Sequence, residues 1–221
     1  MCKRLVLIGL ILAFALALPA SATTYLFTWG DGNNSPLGLS HTFLQGTMDI
    51  TAYVFYTDGT TVQNGITNGL YSKNKGGDET GLGTTADPGG SHEIVFNDYV
   101  QLDFSDVKAK YNITSATLAI NSSTGSDAWK IYGSATKGGT LSSFGTALHS
   151  GSVETAFSIL ADLTNPNINF LTISESAPCG DVLVGALTLT ATPKTPEPVT
   201  ALLIGGSLVA IGMLHRRKRR H

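Results

Sequence analysis

The chain has 221 residues, 42% of them hydrophobic, and a formal net charge of −2. All five arginines lie near its ends, and residues 23–195 carry seven lysines against fifteen acidic groups, a formal −8. That length supports one domain with a real core, and an arginine-free acidic domain is poorly suited to neutralising phosphates, so nucleic acid is not an expected partner.

Residues 1–22 read as a secretory signal peptide. Lys3 and Arg4 supply the positive region, residues 5–18 are apolar, and Pro19 ends the run. Ala20 and Ala22 flank Ser21 in a small-x-small cleavage pattern. Signal peptidase and the Sec translocon are therefore expected partners, and the mature chain is expected to begin near Thr23. Cys2 precedes the apolar run and would leave with it, so the mature domain keeps only Cys179. A lone thiol in an exported chain is buried or pairs between molecules; burial is the expectation.

Residues 23–192 read as an extracellular all-β domain. Residues 48–57 alternate, with Ile50, Ala52, Val54 and Tyr56 on one side, and Asp58-Gly59 is a turn signal. Residues 60–62 are expected to be the return strand. Further strands are expected at 92–96, 99–104, 115–121, 129–132, 155–160, 169–173 and 182–190. No stretch of the domain shows a capped helical period. Short strands with turns between them predict an antiparallel β-sandwich, jelly-roll-like, and the missing crossover helices argue against a parallel sheet.

Residues 76–90 are glycine-rich and read as the longest irregular stretch. They carry Asp78, Glu79 and Asp87, a candidate calcium site, because hard cations take several oxygens from a flexible loop. The spacing is not that of an EF-hand, and a solvated acidic loop is the favoured alternative; no cofactor is expected with certainty, Ca2+ being the candidate. Ser134-Ala135-Thr136-Lys137 has Ser-x-x-Lys spacing but lies against glycines rather than at a helix start, so it reads as a turn. His41, His92 and His149 stand apart, with no zinc spacing. No catalytic residues are expected.

The C-terminal end is ordered in three parts. Residues 193–198 form a linker that contains Pro196, Glu197 and Pro198, where the prolines favour an extended chain a protease can grip. An uncharged apolar run opens at Val199 and closes at Leu214. As a helix it is about 24 Å long at about 1.5 Å per residue, against a hydrocarbon core of about 30 Å. Residues 215–221 are basic, with Arg216, Arg217, Lys218, Arg219 and Arg220 expected to stay cytoplasmic. This predicts a transmembrane helix at 199–214 with the β domain outside.

This order of Pro-Glu-Pro, short apolar helix and basic cluster closely resembles the PEP-CTERM sorting signal. The resemblance implies an exosortase as partner, passage through the inner membrane, removal of the tail, and a Gram-negative host that makes exopolysaccharide and biofilm. Gly81-Leu82-Gly83, then His92-Glu93-Ile94 and Leu102-Asp103-Phe104, is similar to a pattern in ectodomains of that family. The expected function is a non-enzymatic structural protein of the cell surface or extracellular matrix, associated with exopolysaccharide. The alternatives are a carbohydrate-binding module, with or without calcium, and a secreted hydrolase. Trp29, Tyr53, Tyr71, Trp129 and Tyr132 are the aromatic candidates for stacking on sugar rings.

Overall fold

The computed structural model describes residues 21–29, 34–86, 89–123, 127–194 and 205–206. The chain divides into the unit Ala22–Thr192 and a second unit made of the two termini. In the terminal unit only Ser21, Pro193, Lys194 and the exposed, helical Gly205 and Gly206 are described. The expected signal peptide up to Ala20, the Pro196-Glu197-Pro198 motif and the basic residues 215–221 lie outside the described residues, as does the run from Val199 to Leu214 apart from those two glycines. Among the described residues no helix is long and apolar enough to cross a membrane.

The unit Ala22–Thr192 is built from antiparallel sheets, as the alternation predicts. Its first sheet contains β1 (Thr23–Phe27), β2 (Ser35–Gly38), β7 (Leu70–Asn74), β8 (Thr80–Thr84), β9 (Ile94–Val95), β11 (Tyr111–Asn121), β14 (Thr155–Ser158) and β16 (Asp181–Pro193). The second contains β3 (Ser40–Gln45), β4 (Met48–Tyr56), β10 (Asp98–Asp103), β12 (Trp129–Ser134), β13 (His149–Gly151) and β15 (Phe170–Glu175). A small hairpin joins β5 (Val62–Gln63) to β6 (Ile66–Thr67). From β10 to β16 the chain switches sheets at nearly every connection.

One core lies between the sheets. Val54, Leu102, Ile131 and Ile173 enter it from the second sheet; Phe27, Leu82, Leu118 and Leu189 enter from the first. The period of two along each strand delivers these residues to one face. In β16 both Val184 and Leu187 are core residues, so the alternation changes phase between them, at Gly185.

Several expectations are corrected. Residues 62–63 pair with β6 and not with β4. Residues 94–95 pair with β16, because the chain crosses to the other sheet before β10 begins. Among the described residues of the unit Ala22–Thr192, two short α-helices occur, α1 (Ser105–Lys110) and α2 (Leu160–Thr164), each too short to show a period. β8 runs through the stretch read as irregular. Cys179 is exposed, since it sits in the Pro178-Cys179-Gly180 connection between β15 and β16.

Burial separates two leucines of the second sheet. Leu102 is fully buried, whereas Leu44 on β3 is 69% exposed. Leu102→Ala is expected to lower the unfolding free energy by about 2–5 kcal/mol, and Leu44→Ala to change it by less than about 0.5 kcal/mol. Urea unfolding of both variants checks this.

Candidate functional site

The most concentrated polar chemistry lies on the outer side of β7 and β8, and two glycines create it. Lys73 pairs with Gly81 and Tyr71 with Gly83 across the β7–β8 ladder. A Cβ on Gly83 would lie 2.0 Å from the His92 carbonyl oxygen, and one on Gly81 would lie 2.5 Å from that of Val184. Only glycine lets residues 92–93 and β16 approach so closely. The Tyr71 and His92 rings stack at 3.9 Å, and Glu93 arrives above Lys73.

Lys73 is 2% exposed and forms ion pairs with Glu93, 3% exposed, and Glu79, 50% exposed. The Ser122 hydroxyl lies between the two carboxylates, 3.1 Å from Glu79. Burial opposes the charge on Lys73, but its bonds to Glu79 and Glu93 outweigh that and hold the ammonium above the ordinary lysine range. The Lys73 bond holds Glu79 below the ordinary carboxylate range. Thr84 donates to the Glu93 carbonyl at 2.8 Å and also lies 2.7 Å from Asp98 Oδ2. His92 and Ser122 both adopt left-handed backbone, at φ 62° and 57°. Such backbone is held only where its surroundings fix it.

The network continues into acid. Asp181, at the start of β16, is hydrogen-bonded to Glu93, and the Ser91 hydroxyl lies 3.4 Å from it. Burial, then Glu93, then Asp127 push its carboxyl up to about 7. At the end of β15, Glu175 Oε1 accepts the N–H groups of Ala128, Ser176 and Ala177, at 2.9, 2.9 and 2.6 Å. Burial still pushes that carboxyl up, with Asp127 adding to it.

Of the calcium candidates, two are described. Glu79 is bonded to Lys73, Asp78 is exposed in a short 3-10 turn at Gly77–Glu79, and Asp87 lies outside the described residues. Among the described residues no three of His, Cys, Asp and Glu are arranged to hold a metal ion. Sequence reading missed Lys73 and Asp181; the signal available for Glu93 was the Gly81-Leu82-Gly83 phrase, whose glycines admit it.

A second feature is an open cleft of about 490 Å³ between β13 and β14, the edge strands of the two sheets. Trp129, Leu148, Val153 and Phe157 line it, and Trp129 stacks on Phe157 at 5.3 Å. Trp129 is only 3% exposed and donates to the Val153 carbonyl at 3.0 Å, so it is a wall and not a platform. His149, which lines the cleft beside Ser150, bonds Asp162 at 2.7 Å. Trp29 is likewise core, 1% exposed. Of the aromatic candidates, Tyr53, Tyr71 and Tyr132 keep partial exposure.

Two outcomes test the network. Lys73→Met leaves Glu93 buried without its counter-charge and is expected to cost about 3–5 kcal/mol in urea unfolding at neutral pH, most of it recovered in Lys73→Met/Glu93→Met. Asp181 is raised from 3.8 to about 7 in the folded state. The native protein therefore holds a proton that the unfolded chain has released, and the stability from it is present below about pH 4 and lost as pH rises through 7. Glu79, held low, acts only below its ordinary value of 4.5. Asp181→Asn is thus expected to melt above the unaltered chain at pH 8, with the gap narrowing by pH 5, in scanning calorimetry.

No protein-family model and no curated protein matches the chain. Among solved structures, the K1 cleaved adhesin domain of Lys-gingipain (Kgp) from Porphyromonas gingivalis W83 overlaps it at a TM-score of 0.29 and 14% identity. The overlap covers 79% of this chain and 99% of that one. At that TM-score the overlap is too loose to carry an argument about this chain.

Proposed function

We propose that this chain is an exported structural protein of the cell surface or extracellular matrix, delivered as an exosortase substrate and associated with exopolysaccharide. The observation that carries the reading is the order of Pro196-Glu197-Pro198, the uncharged run from Val199 to Leu214, and the Arg216–Arg220 basic cluster. The fold is compatible with that order: β16 ends at Pro193, so the Pro-Glu-Pro begins three residues beyond the domain's last strand. A protease acting there leaves every strand of the sandwich intact. We read the alternation of strands between two sheets as jelly-roll-like. The reading is of a non-enzymatic protein that meets the Sec translocon, signal peptidase and the inner membrane on its way out.

Carbohydrate binding is a second reading. It is favoured by Tyr53 and Tyr132, which lie on the outward face of the second sheet and keep partial exposure.

Replacing Pro196, Glu197 and Pro198 together by alanine is expected to block tail removal in a host that carries an exosortase. A membrane-bound product that keeps its C-terminal tail, seen by immunoblot with an antibody to the basic end, is the expected result. Unchanged tail removal contradicts the sorting reading.

A further inference from the structure

The outward face of the second sheet is polar and also buried. Gln101, Thr172 and Ser174 are each 0% exposed. Gln101 lies opposite Thr172, and Tyr99 opposite Ser174, across β10 and β15. Their chain neighbours Val100, Leu102, Leu171 and Ile173 belong to the core, so these side chains face away from it. Outward positions of a sandwich sheet ordinarily meet water.

The segment 135–148, between β12 and β13, lies against Gln101 and Tyr99 on this face. It contributes no fully buried residue of its own. Gly138, Gly139 and Gly145 within it hold φ of 71°, 107° and 76°. The Gly138 N–H donates to Gln101 Oε1 at 2.8 Å, and Tyr99 Oη donates to the Gly139 carbonyl at 2.6 Å. Lys137 Nζ sits 4.5 Å over the Tyr53 ring. Phe144 meets Tyr99 edge-on at 5.7 Å and Tyr132 at 6.3 Å. On the same face, opposite Tyr99, the buried Ser174 hydroxyl has no hydrogen-bond partner. A buried hydroxyl without a partner is a cost to the fold.

We propose that this face is a saccharide-binding groove and that segment 135–148 is its lid, which a neutral glycan displaces. The proposal rests on the carbohydrate-binding reading and names its site. A sugar hydroxyl donates to Gln101 Oε1 in place of Gly138, and a sugar oxygen accepts from Tyr99 in place of Gly139. Another sugar hydroxyl pairs with Ser174, which has no partner while the lid is shut. Tyr53 and Tyr132 flank these groups with ring faces suited to pyranose C–H surfaces. Gln101, Thr172 and Ser174 are uncharged and suit a neutral polymer, with Lys130 opposite Ser174 on the same face as the nearest cation of the sheet. The segment is held mainly through its backbone, at Gly138, Gly139, Leu141 and Leu148, and buries no side chain fully, so it opens at less cost than the core strands.

Native affinity electrophoresis of the full chain through dextran, galactomannan, xyloglucan and hydroxyethyl cellulose tests this. At least one polymer is expected to retard the protein. Ser174→Ala is expected to weaken that retardation about tenfold, roughly one lost hydrogen bond, while its melting temperature stays level or rises. Lys137→Ala uncovers Tyr53, so it is expected to tighten binding about two- to fivefold by favouring the open lid. Retardation by none of the four polymers overturns both the groove and the carbohydrate reading. Retardation that neither substitution alters overturns the groove alone.

Discussion

The strand that ends the domain is also the one on which the first sheet depends. β16 pairs with β1, β8, β9 and β11, and buries Val182, Val184, Leu187, Leu189 and Ala191. Its 13 residues are the longest extended run among the described residues. Removing any part of it opens the first sheet to water and leaves ladder groups of several partners unpaired. The strand stops at Pro193, where a residue without an N–H suits the end of a ladder. A C-terminal cut that leaves the first sheet intact would fall beyond that proline, where the Pro-Glu-Pro motif lies.

The second constraint is the close approach of residues 92–93 to β8. Gly81 and Gly83 have no side chain on the face where Tyr71 and Lys73 stand, so the crossing chain fills that space. The result is a lysine sunk among carboxylates. Its value lies in registration more than in raw stability, because the cost of drying two charges offsets most of their attraction. It fixes Glu93 over β7, and Glu93 in turn raises the Asp181 carboxyl at the entry to β16. The ionic network and the terminal strand are thus one connected arrangement.

Much of the fold was legible because half-buried strands write a period of two. β4 does so without a break, from Met48 to Tyr56. β8 was not legible, because its Gly-Leu-Gly spelling resembles a loop; those glycines answer to neighbours distant in sequence. β3 was missed because it lies at a sheet edge and buries little. Lys73 looks like any solvated lysine, since nothing beside it in sequence marks the two glutamates that receive it. Trp129 reads equally well as a platform or a core residue, and its 3% exposure decides for the core. Cys179 was read as buried from its type, whereas the connection it occupies leaves it exposed.

Together these features describe a two-sheet sandwich whose final strand completes the first sheet. The intact mass of the protein recovered from outside a host that carries an exosortase tests this account most directly. A mass that begins near Thr23 and ends between Lys194 and Val199 is the predicted result. A product that still extends to His221 would contradict it.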